Sequence, residues 1–444
     1  MQSDQQRRKR KQRFLKPPYF ITSSYYYFVR CCILFLFLLF FLFFNGFTFE
    51  SDFLFKSVLG VFRSTSVSLA SSLELCPVRV EDWVLFPDHV LLLVSKRSRL
   101  SWLNLHGGLD CIYRQGWTNS SFEFGDSGKL VALPVLSVDE YNELQSIARC
   151  PLPPSNYSAM VQLRKRVIRR KDGVNNLVLV NQTVHSWEML VYAAALDGET
   201  AVVFVKGLNL RPDRVSDPAQ FSCHFDWNDS EKSGKYALNT NAVTAAQEII
   251  RCSLPLSLKK YPTMAHGLGV SISIASHPGH RDVVGSRGRG EAIRYDPAIP
   301  SVAKIIHSEE QAKNKYELCA CTMLWNQATS LREWIVYHAW LGVERWFIYD
   351  NNSNDGIEKV IEELNQEKFN VSRHVWPWIK SQEAGFSHCI LKARRECKWV
   401  AFMDVDEFFY FPLPTANRLK KINLGYPGRH SLRSLVAKFS SSKQ

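Results

Sequence analysis

Polar side chains that could bind a metal ion or a nucleotide follow three of the strands predicted in the C-terminal part of the chain. Asn326 comes after the first of these strands, and Asp350 comes after the second. Asp404 and Asp406 come after the fourth, in the tripeptide Asp-Val-Asp. Because ligands of open α/β sheets bind beyond the carboxyl ends of the strands, we expect these side chains to border a single site.

The pair Asp404 and Asp406 is suited to a divalent cation. Two carboxylates at one strand end provide the hard oxygen ligands that Mn²⁺ and Mg²⁺ prefer. Such a cation bridges two phosphates and neutralises a departing diphosphate. Two other interpretations stay open: a turn or helix cap, and a haloacid-dehalogenase-type phosphatase. That phosphatase has Thr or Val two residues after its second Asp, where this chain has Phe408.

The elements that position these residues alternate between strand and helix from Tyr316 onward. Apolar residues at helical spacing begin at Leu331, and Gly342 is expected to end that helix. Repeated βα units of this length predict a doubly wound parallel sheet. The predicted elements are a strand at 317–324, a helix at 331–341, a strand at 344–349, a helix at 357–366, a strand at 369–375, a helix at 388–398 and a strand at 398–403.

Residues 316–412 resemble the plant members of glycosyltransferase family 92, formerly a domain of unknown function. The resemblance covers about a quarter of the chain. The similar stretches are YELCACTMLWNQ (316–327), LREWIVYHAWLGVERWFIYDNNS (331–353), NVSRHVWPWIKSQEAGFSHC (370–389) and WVAFMDVDEFFYFP (399–412).

The resemblance implies a GT-A fold, a nucleotide-sugar donor that is UDP-linked, and a divalent metal, Mn²⁺ or Mg²⁺. Carried over by position, Asp404 and Asp406 become the metal and diphosphate motif. Asp350 lies at the nucleotide pocket, and Asn326 is a further nucleotide-binding candidate.

The stretch QEAGFSHC is expected to border the donor sugar, with Gln382, Glu383 and His388 as its polar residues. We expect His388 to cap the helix that it opens, and Glu383 to be a polar contact. Family members continue well past residue 412 with segments that this chain lacks. We therefore expect the GT-A sheet to be incomplete, the catalytic residues to lie in the missing C-terminal part, and the 444-residue form to be a truncated, inactive and poorly folded product.

The N-terminus predicts a membrane anchor. Residues 1–30 contain eight basic residues and one acidic residue, so +7 of the formal charge of +13 belongs to this tail. The remaining chain is only mildly basic, and a nucleic-acid partner is not expected. Residues 31–49 carry no charge and are almost wholly apolar, which predicts a transmembrane signal anchor with the basic tail in the cytosol.

Composition indicates a globular lumenal part with several regions. Hydrophobic residues make up 46% of the chain and charged residues 22%, which excludes wholesale disorder and collagen. We predict a stem at 50–74, a mostly-β domain of antiparallel sheets at 75–275, a Gly-, Arg-, Ser- and Pro-rich linker at 276–313, and the nucleotide-sugar domain at 314–444.

Cysteine usage agrees with an oxidising lumen. Of the 11 cysteines, nine follow the anchor, so disulfides are expected and at least one cysteine is left over. Cys319 and Cys321 are predicted to pack within a buried strand rather than to bind a metal. N-glycosylation tripeptides, such as that at Asn351, agree with the same compartment.

The function predicted from the sequence is a Golgi glycosyltransferase. We expect a single-pass type II membrane protein whose lumenal domain uses a nucleotide sugar and a glycan acceptor of the plant cell wall. Self-association into a homo-oligomer is left open. Two alternatives stay open: a catalytically incomplete fragment that binds a nucleotide or a partner protein, and a lumenal carbohydrate-binding module that uses the tryptophans of the β region, Trp102, Trp117, Trp187 and Trp227.

The charge asymmetry across residues 31–49 yields a test of topology. Protease added to intact vesicles should remove the basic tail and spare residues 50–444, because positive flanks stay in the cytosol. Immunoblots against the two ends of the chain measure this, with detergent-opened vesicles as the control. Digestion of the bulk of the chain in sealed vesicles would contradict the predicted orientation.

Overall fold

The computed structural model describes residues 79–96, 108–115, 129–165, 183–211, 216–226, 238–275, 296–307, 314–411 and 428–441. These residues belong to one compact unit that runs from Glu74 to Gln444. The tail, anchor and stem predicted over residues 1–74 lie outside the described residues. Within the described ranges, no helix has both the length and the apolar character needed to cross a bilayer.

The β region precedes the parallel sheet and is built mainly from antiparallel strands. Its strands are β1 (Val80–Leu85), β2 (His89–Ser95), β3 (Leu109–Gln115), β4 (Leu130–Pro134), β5 (Ser137–Glu140), β6 (Gln145–Pro151), β7 (Tyr157–Lys165), β8 (Val184–Ser186), β9 (Leu190–Asp197), β10 (Thr200–Lys206), β11 (Phe221–Asp226), β12 (Leu238–Ala246), β13 (Ile249–Ser253), β14 (Gly269–Ile274) and β15 (Ile305–Ile306). A short helix, α1 (Leu256–Lys259), and 3₁₀ turns at Pro218–Gln220 and Pro262–Ala265 lie between them.

The described strands of the β region form three sheets. Their orders are β5-β6-β2-β1-β8, β4-β3-β7 and β14-β11-β12-β13-β10-β9-β15. The disulfide Cys111–Cys150 links β3 to β6 and therefore joins two of these sheets. A second disulfide, Cys223–Cys252, links β11 to β13 across β12.

Part of the predicted linker is a packed edge of the seven-stranded sheet. Strand β15 pairs in parallel with β9, with Ile305 opposite Ala194. Ile299, Val302 and Ile305 are buried. Residues 296–307 therefore belong to the folded β region, because their apolar side chains complete its core.

The parallel sheet begins at residue 316. Its elements are β16 (Tyr316–Leu324), α2 (Ala328–Leu341), β17 (Arg345–Asp350), α3 (Ile357–Gln366), β18 (Val371–Val375), α4 (Gln382–Glu396), β19 (Cys397–Phe402) and α5 (Ser431–Ser441). The strands lie in the order β18-β17-β16-β19, and each neighbouring pair is parallel. Gly342 ends α2 as predicted, with a φ of 107° that favours glycine. The described fold is therefore mixed α/β and rich in strands.

Helices cover both faces of the parallel sheet. On one face, Leu318, Ala320 and Trp346 belong to a core with side chains of α2, α3 and α5. On the other face, Cys319 and Phe347 belong to a core with α4 and the β region. Alternate residues of each strand thus face different partners, as the period of two in a strand requires.

Two disulfides join β16 to its neighbours. Cys319 bonds to Cys397 of β19, and Cys321 bonds to Cys389 of α4. The prediction that Cys319 and Cys321 pack within a buried strand is confirmed, since both are fully buried. The eight cysteines that the structure describes are all disulfide-bonded, and Cys76 lies outside the described residues.

An aromatic core joins the β region to the parallel sheet. Trp378 follows β18 and stacks on Trp187 of the β region, with ring centroids 5.5 Å apart. The centroid of Tyr192 lies 5.1 Å from that of Trp378. Nε1 of Trp378 donates to the hydroxyl of Tyr141 at 3.0 Å. The two regions therefore share one interior rather than meeting at a solvated interface.

Replacing Trp378 by Ala should lower the free energy of unfolding by about 3–5 kcal/mol, the usual loss for a buried tryptophan. Because its ring packs between the β region and the parallel sheet, we expect both regions to unfold together at a lower urea concentration. Far- and near-UV circular dichroism of the full chain measures this transition. Trp340→Ala removes a ring that is 45% exposed and is the control, with a change below about 1 kcal/mol. Two separate transitions, of which only one shifts, would contradict the shared core.

Candidate functional site

The carboxyl ends of the parallel strands lie along one edge of the sheet. Leu324 at the end of β16 is opposite Asp350 at the end of β17. Strand β19 runs parallel to β16 on its other side and leads into Asp404. The edge therefore gathers Asn326, Asp350 and Asp404 from three separate stretches of the sequence.

Residues 404–407, Asp-Val-Asp-Glu, are named the acidic turn. The backbone N–H of Asp404 donates to a carboxylate oxygen of Glu407 at 3.0 Å, and the N–H of Glu407 donates to the carbonyl of Asp404 at 3.0 Å. The side chains of Asp404, Asp406 and Glu407 are exposed, whereas Val405 is buried. The turn therefore presents three carboxylates to solvent on a buried valine.

Helix α2 holds the acidic turn in place. Nε1 of Trp334 donates to the carbonyl of Glu407 at 3.1 Å, and the hydroxyl of Tyr337 donates to the carbonyl of Phe409 at 2.6 Å. The ring of Phe408 stacks on His338 with centroids 5.7 Å apart. We did not predict these helix residues as part of the site. Their spacing on one side of α2 was the only sequence signal that could have indicated a shared contact.

The first residue of α4 contacts the acidic turn directly. Nε2 of Gln382 donates to Oδ1 of Asp404 at 2.9 Å. Glu383 is the next residue, and its side chain is exposed. The structure therefore brings the start of the QEAGFSHC stretch beside the Asp-Val-Asp motif.

Burial and neighbouring negative charge both act on Asp404. Partial burial is the larger cause, and the carboxylates of Glu407 and Asp406 add to it, so that the pKa of Asp404 is raised above its ordinary value. A raised pKa means that the ionised form is under-compensated by its surroundings. A divalent cation would supply the missing positive charge, so the oxygen donors of the turn fit Mn²⁺ or Mg²⁺.

The acidic turn is not by itself a complete metal cage. Among the described residues, no group of three or more His, Cys, Asp and Glu side chains is arranged to enclose an ion. Two carboxylates leave most positions of a six-coordinate ion to water and phosphate oxygens. This is the usual arrangement for a cation that binds together with a diphosphate.

Asp350 is buried and paired. One of its oxygens accepts from Nε of Arg373 at 2.8 Å, and the other accepts from the N–H of Ser353 at 2.9 Å. Arg373 also contacts Asp139 of β5 and Glu358 of α3. Both carboxylate oxygens of Asp350 are thus hydrogen-bonded within the protein, and one of these bonds fixes the backbone of the loop after β17.

Asn326 also holds a loop at the sheet edge. It adopts the left-handed conformation with φ of 53°. Its N–H donates to Oγ of Ser353 at 2.9 Å, and its side-chain oxygen accepts from the N–H of Asn354 at 2.8 Å. Asn326 therefore fastens the loop after β16 to the loop after β17.

His388 does not cap a helix, so that prediction is wrong. Helix α4 begins at Gln382, which places His388 in its second turn. Nδ1 of His388 lies 2.7 Å from the hydroxyl of Tyr349. Burial, with a smaller contribution from Lys392, lowers the pKa of His388 to about 3. His388 is therefore neutral at physiological pH and shares a hydrogen bond with the hydroxyl of Tyr349, whose own pKa burial raises well above its ordinary value.

Arg373→Ala should leave Asp350 buried without its counter-charge and lower the free energy of unfolding by about 3–5 kcal/mol. Arg332 forms an exposed pair with Glu367, so Arg332→Ala is the matched control and should leave the free energy of unfolding nearly unchanged. Urea denaturation of the two variants measures the difference. An equal loss of unfolding free energy in both variants would show that the buried Arg373–Asp350 pair stabilises the fold no more than an exposed pair does.

Comparisons with known proteins identify a family over the segment that contains the parallel sheet. The profile of glycosyltransferase family 92 matches residues 314–425. A glycosyltransferase family 92 protein of Ricinus communis is 48% identical over 370 residues, which is 82% of this chain and 58% of that relative. One of Arabidopsis thaliana is 46% identical over 373 residues, 82% of this chain and 57% of the relative. One of Oryza sativa subsp. japonica is 38% identical over 338 residues, 76% of this chain and 53% of the relative.

The chain spans a little over half the length of these relatives. The matched segment contains the whole described parallel sheet, the acidic turn and the start of α4. The chain belongs to glycosyltransferase family 92, whose domain occupies residues 314–425.

Proposed function

We propose that the protein is a glycosyltransferase of the GT-A type that moves a sugar from a UDP-linked donor to a glycan acceptor with Mn²⁺ or Mg²⁺. The observation that carries this proposal is the acidic turn after β19, with Gln382 bonded to Asp404. Its carboxylates lie where open parallel sheets bind nucleotides. Membership of the family supports transfer of a sugar as the reaction.

Each residue at the sheet edge has a separate role in this proposal. Asp404 and Asp406 hold the cation, which when bound neutralises the charge of the departing diphosphate. Gln382 occupies Oδ1 of Asp404, so it fixes the carboxylate and leaves its second oxygen for the cation. Asp350 and Asn326 act indirectly, since they fix the loops that border the nucleotide.

The start of α4 is proposed to meet the donor sugar. Glu383 is exposed and adjoins Gln382, so its carboxylate can accept hydrogen bonds from sugar hydroxyls. His388 supports the start of α4 through packing, because it is partly buried, neutral and hydrogen-bonded to Tyr349. No described residue is assigned the task of activating the acceptor.

We also propose that the domain works in the Golgi lumen as part of a single-pass type II membrane protein. Disulfides such as Cys319–Cys397 and Cys321–Cys389 support an oxidising compartment. The basic tail before the uncharged stretch at 31–49 supports the orientation.

The alternative of a carbohydrate-binding module loses one of its supports. Trp187 is 4% exposed and packs against Trp378, so its ring has no face for a sugar. The other tryptophans on which this alternative depends, Trp102, Trp117 and Trp227, lie outside the described residues.

Asp404→Asn and Asp406→Asn should each weaken Mn²⁺-dependent binding of UDP by about 100-fold or more. Mutation of a residue that only hydrogen-bonds to a metal ligand typically lowers metal affinity by about 10- to 100-fold. Asp404 and Asp406 are proposed as the ligands themselves, so their loss should have at least as large an effect. Calorimetric titration of the full chain with UDP, with and without Mn²⁺, measures the effect. Glu362→Gln changes an exposed carboxylate of α3 and is the control.

The same titrations decide against the proposal if the unaltered chain binds no UDP in the presence of Mn²⁺. They also decide against the metal assignment if both Asn variants bind UDP and Mn²⁺ as the unaltered chain does. Binding that is retained without sugar transfer would instead favour a nucleotide-binding protein.

A further inference from the structure

One tryptophan at the edge of the sheet has a ring that faces solvent. Trp325 follows β16 and is 63% exposed, the most of any tryptophan that the structure describes. Trp340 and Trp399 are also partly exposed, but Trp340 lies against the ring of Tyr337 and Trp399 donates to Ser440. Among the described residues, Trp325 has neither a ring contact nor a hydrogen bond. A single exposed ring is common on protein surfaces, but this one stands at the carboxyl end of a parallel strand, where open α/β sheets bind their ligands.

The backbone around Trp325 is fixed on both sides. The carbonyl of Leu324 accepts from the N–H of Asn351 at 2.8 Å, and the N–H of Asn326 donates to Oγ of Ser353 at 2.9 Å. The exposed ring therefore stands on a rigid support at the end of an interior strand.

Trp325 lies close to the acidic turn along the sheet edge. Cys321 of β16 is opposite Phe402 of β19, so Asp404 is level with Met323 if both chains are continued at strand spacing. Trp325 is two residues further along, about 7 Å in the strand direction and about 5 Å across. At this separation, the ring can contact the base of a nucleotide while the carboxylate lies near its phosphates. The ribose spans the distance between the base and the phosphates.

We propose that Trp325 stacks on the base of a nucleoside diphosphate whose phosphates meet the acidic turn. This inference rests on the proposed function and adds to it the residue that binds the base. Every base has a flat π-face, so an indole supplies affinity without selecting among bases. The alternative ligand for an exposed indole at this site is the sugar ring of an acceptor, which can also stack on an aromatic face. The position at the strand end beside the acidic turn favours the base.

The test compares UDP with pyrophosphate, each titrated calorimetrically into the purified full chain with Mn²⁺ present. Trp325→Ala should weaken UDP binding by about 5- to 100-fold, the range for one base–aromatic stack, and leave pyrophosphate binding unchanged. Trp325→Phe should restore most of the lost affinity, because it keeps a flat ring. Trp340→Ala, the control on α2, should change neither affinity.

The outcomes separate this inference from the proposed function. Mn²⁺-dependent UDP binding that is the same in Trp325→Ala and the unaltered chain would overturn the stacking role and leave the proposed function in place. Equal weakening of UDP and pyrophosphate would also overturn it, since the substitution would then act through the acidic turn. If the unaltered chain binds neither ligand, the proposed function and this inference fail together.

Discussion

The arrangement of the site depends on the packing of Trp376 and Trp378 against the β region. Both belong to the segment between β18 and α4, and the side-chain amide of Asn351 donates to both of their carbonyls. Ser381 donates to the carbonyl of Trp378 and accepts from Nε1 of Trp376. The start of α4, and with it Gln382, is therefore fixed by a core that the β region helps to build. Although the β region provides none of the proposed metal ligands, it helps to determine where they lie.

Charge provides a second connection between the two regions. Arg373 contacts Asp139 of the β region as well as Asp350 of the sheet. Arg149 of β6 donates to the carbonyl of Asn352 at 3.3 Å. Both contacts lie beside the carboxyl end of β17, so the loop at that strand end is formed jointly. Ion pairs that lose part of their hydration are strong only with good geometry, which restricts how the two regions can fit together.

The local pattern of the parallel sheet was predictable, because periodicity and turn residues act over short distances. Helix α3 has the predicted bounds, 357–366, and Gly342 ends α2 as expected. The start of α4 was missed because residues 382–387 contain Gly385 and few apolar side chains, so helical spacing is evident only from His388 onward. The partners of buried polar groups, the contacts of α2 with the acidic turn and the disulfide pairing were not predictable. Each joins residues that are far apart in sequence, and periodicity carries no information about such pairs.

The two disulfides of β16 have a practical consequence for work with this protein. One joins β16 to the strand that leads into the acidic turn, and the other joins it to the helix that carries Gln382. Both halves of the proposed metal and donor site are thus covalently linked to one strand. In a reducing cytosol, their spacing would rest on noncovalent packing alone. Recombinant material should therefore come from a secretory pathway or an oxidising periplasm, and thiol reductants in purification buffers would weaken the framework of the site before they affected its chemistry.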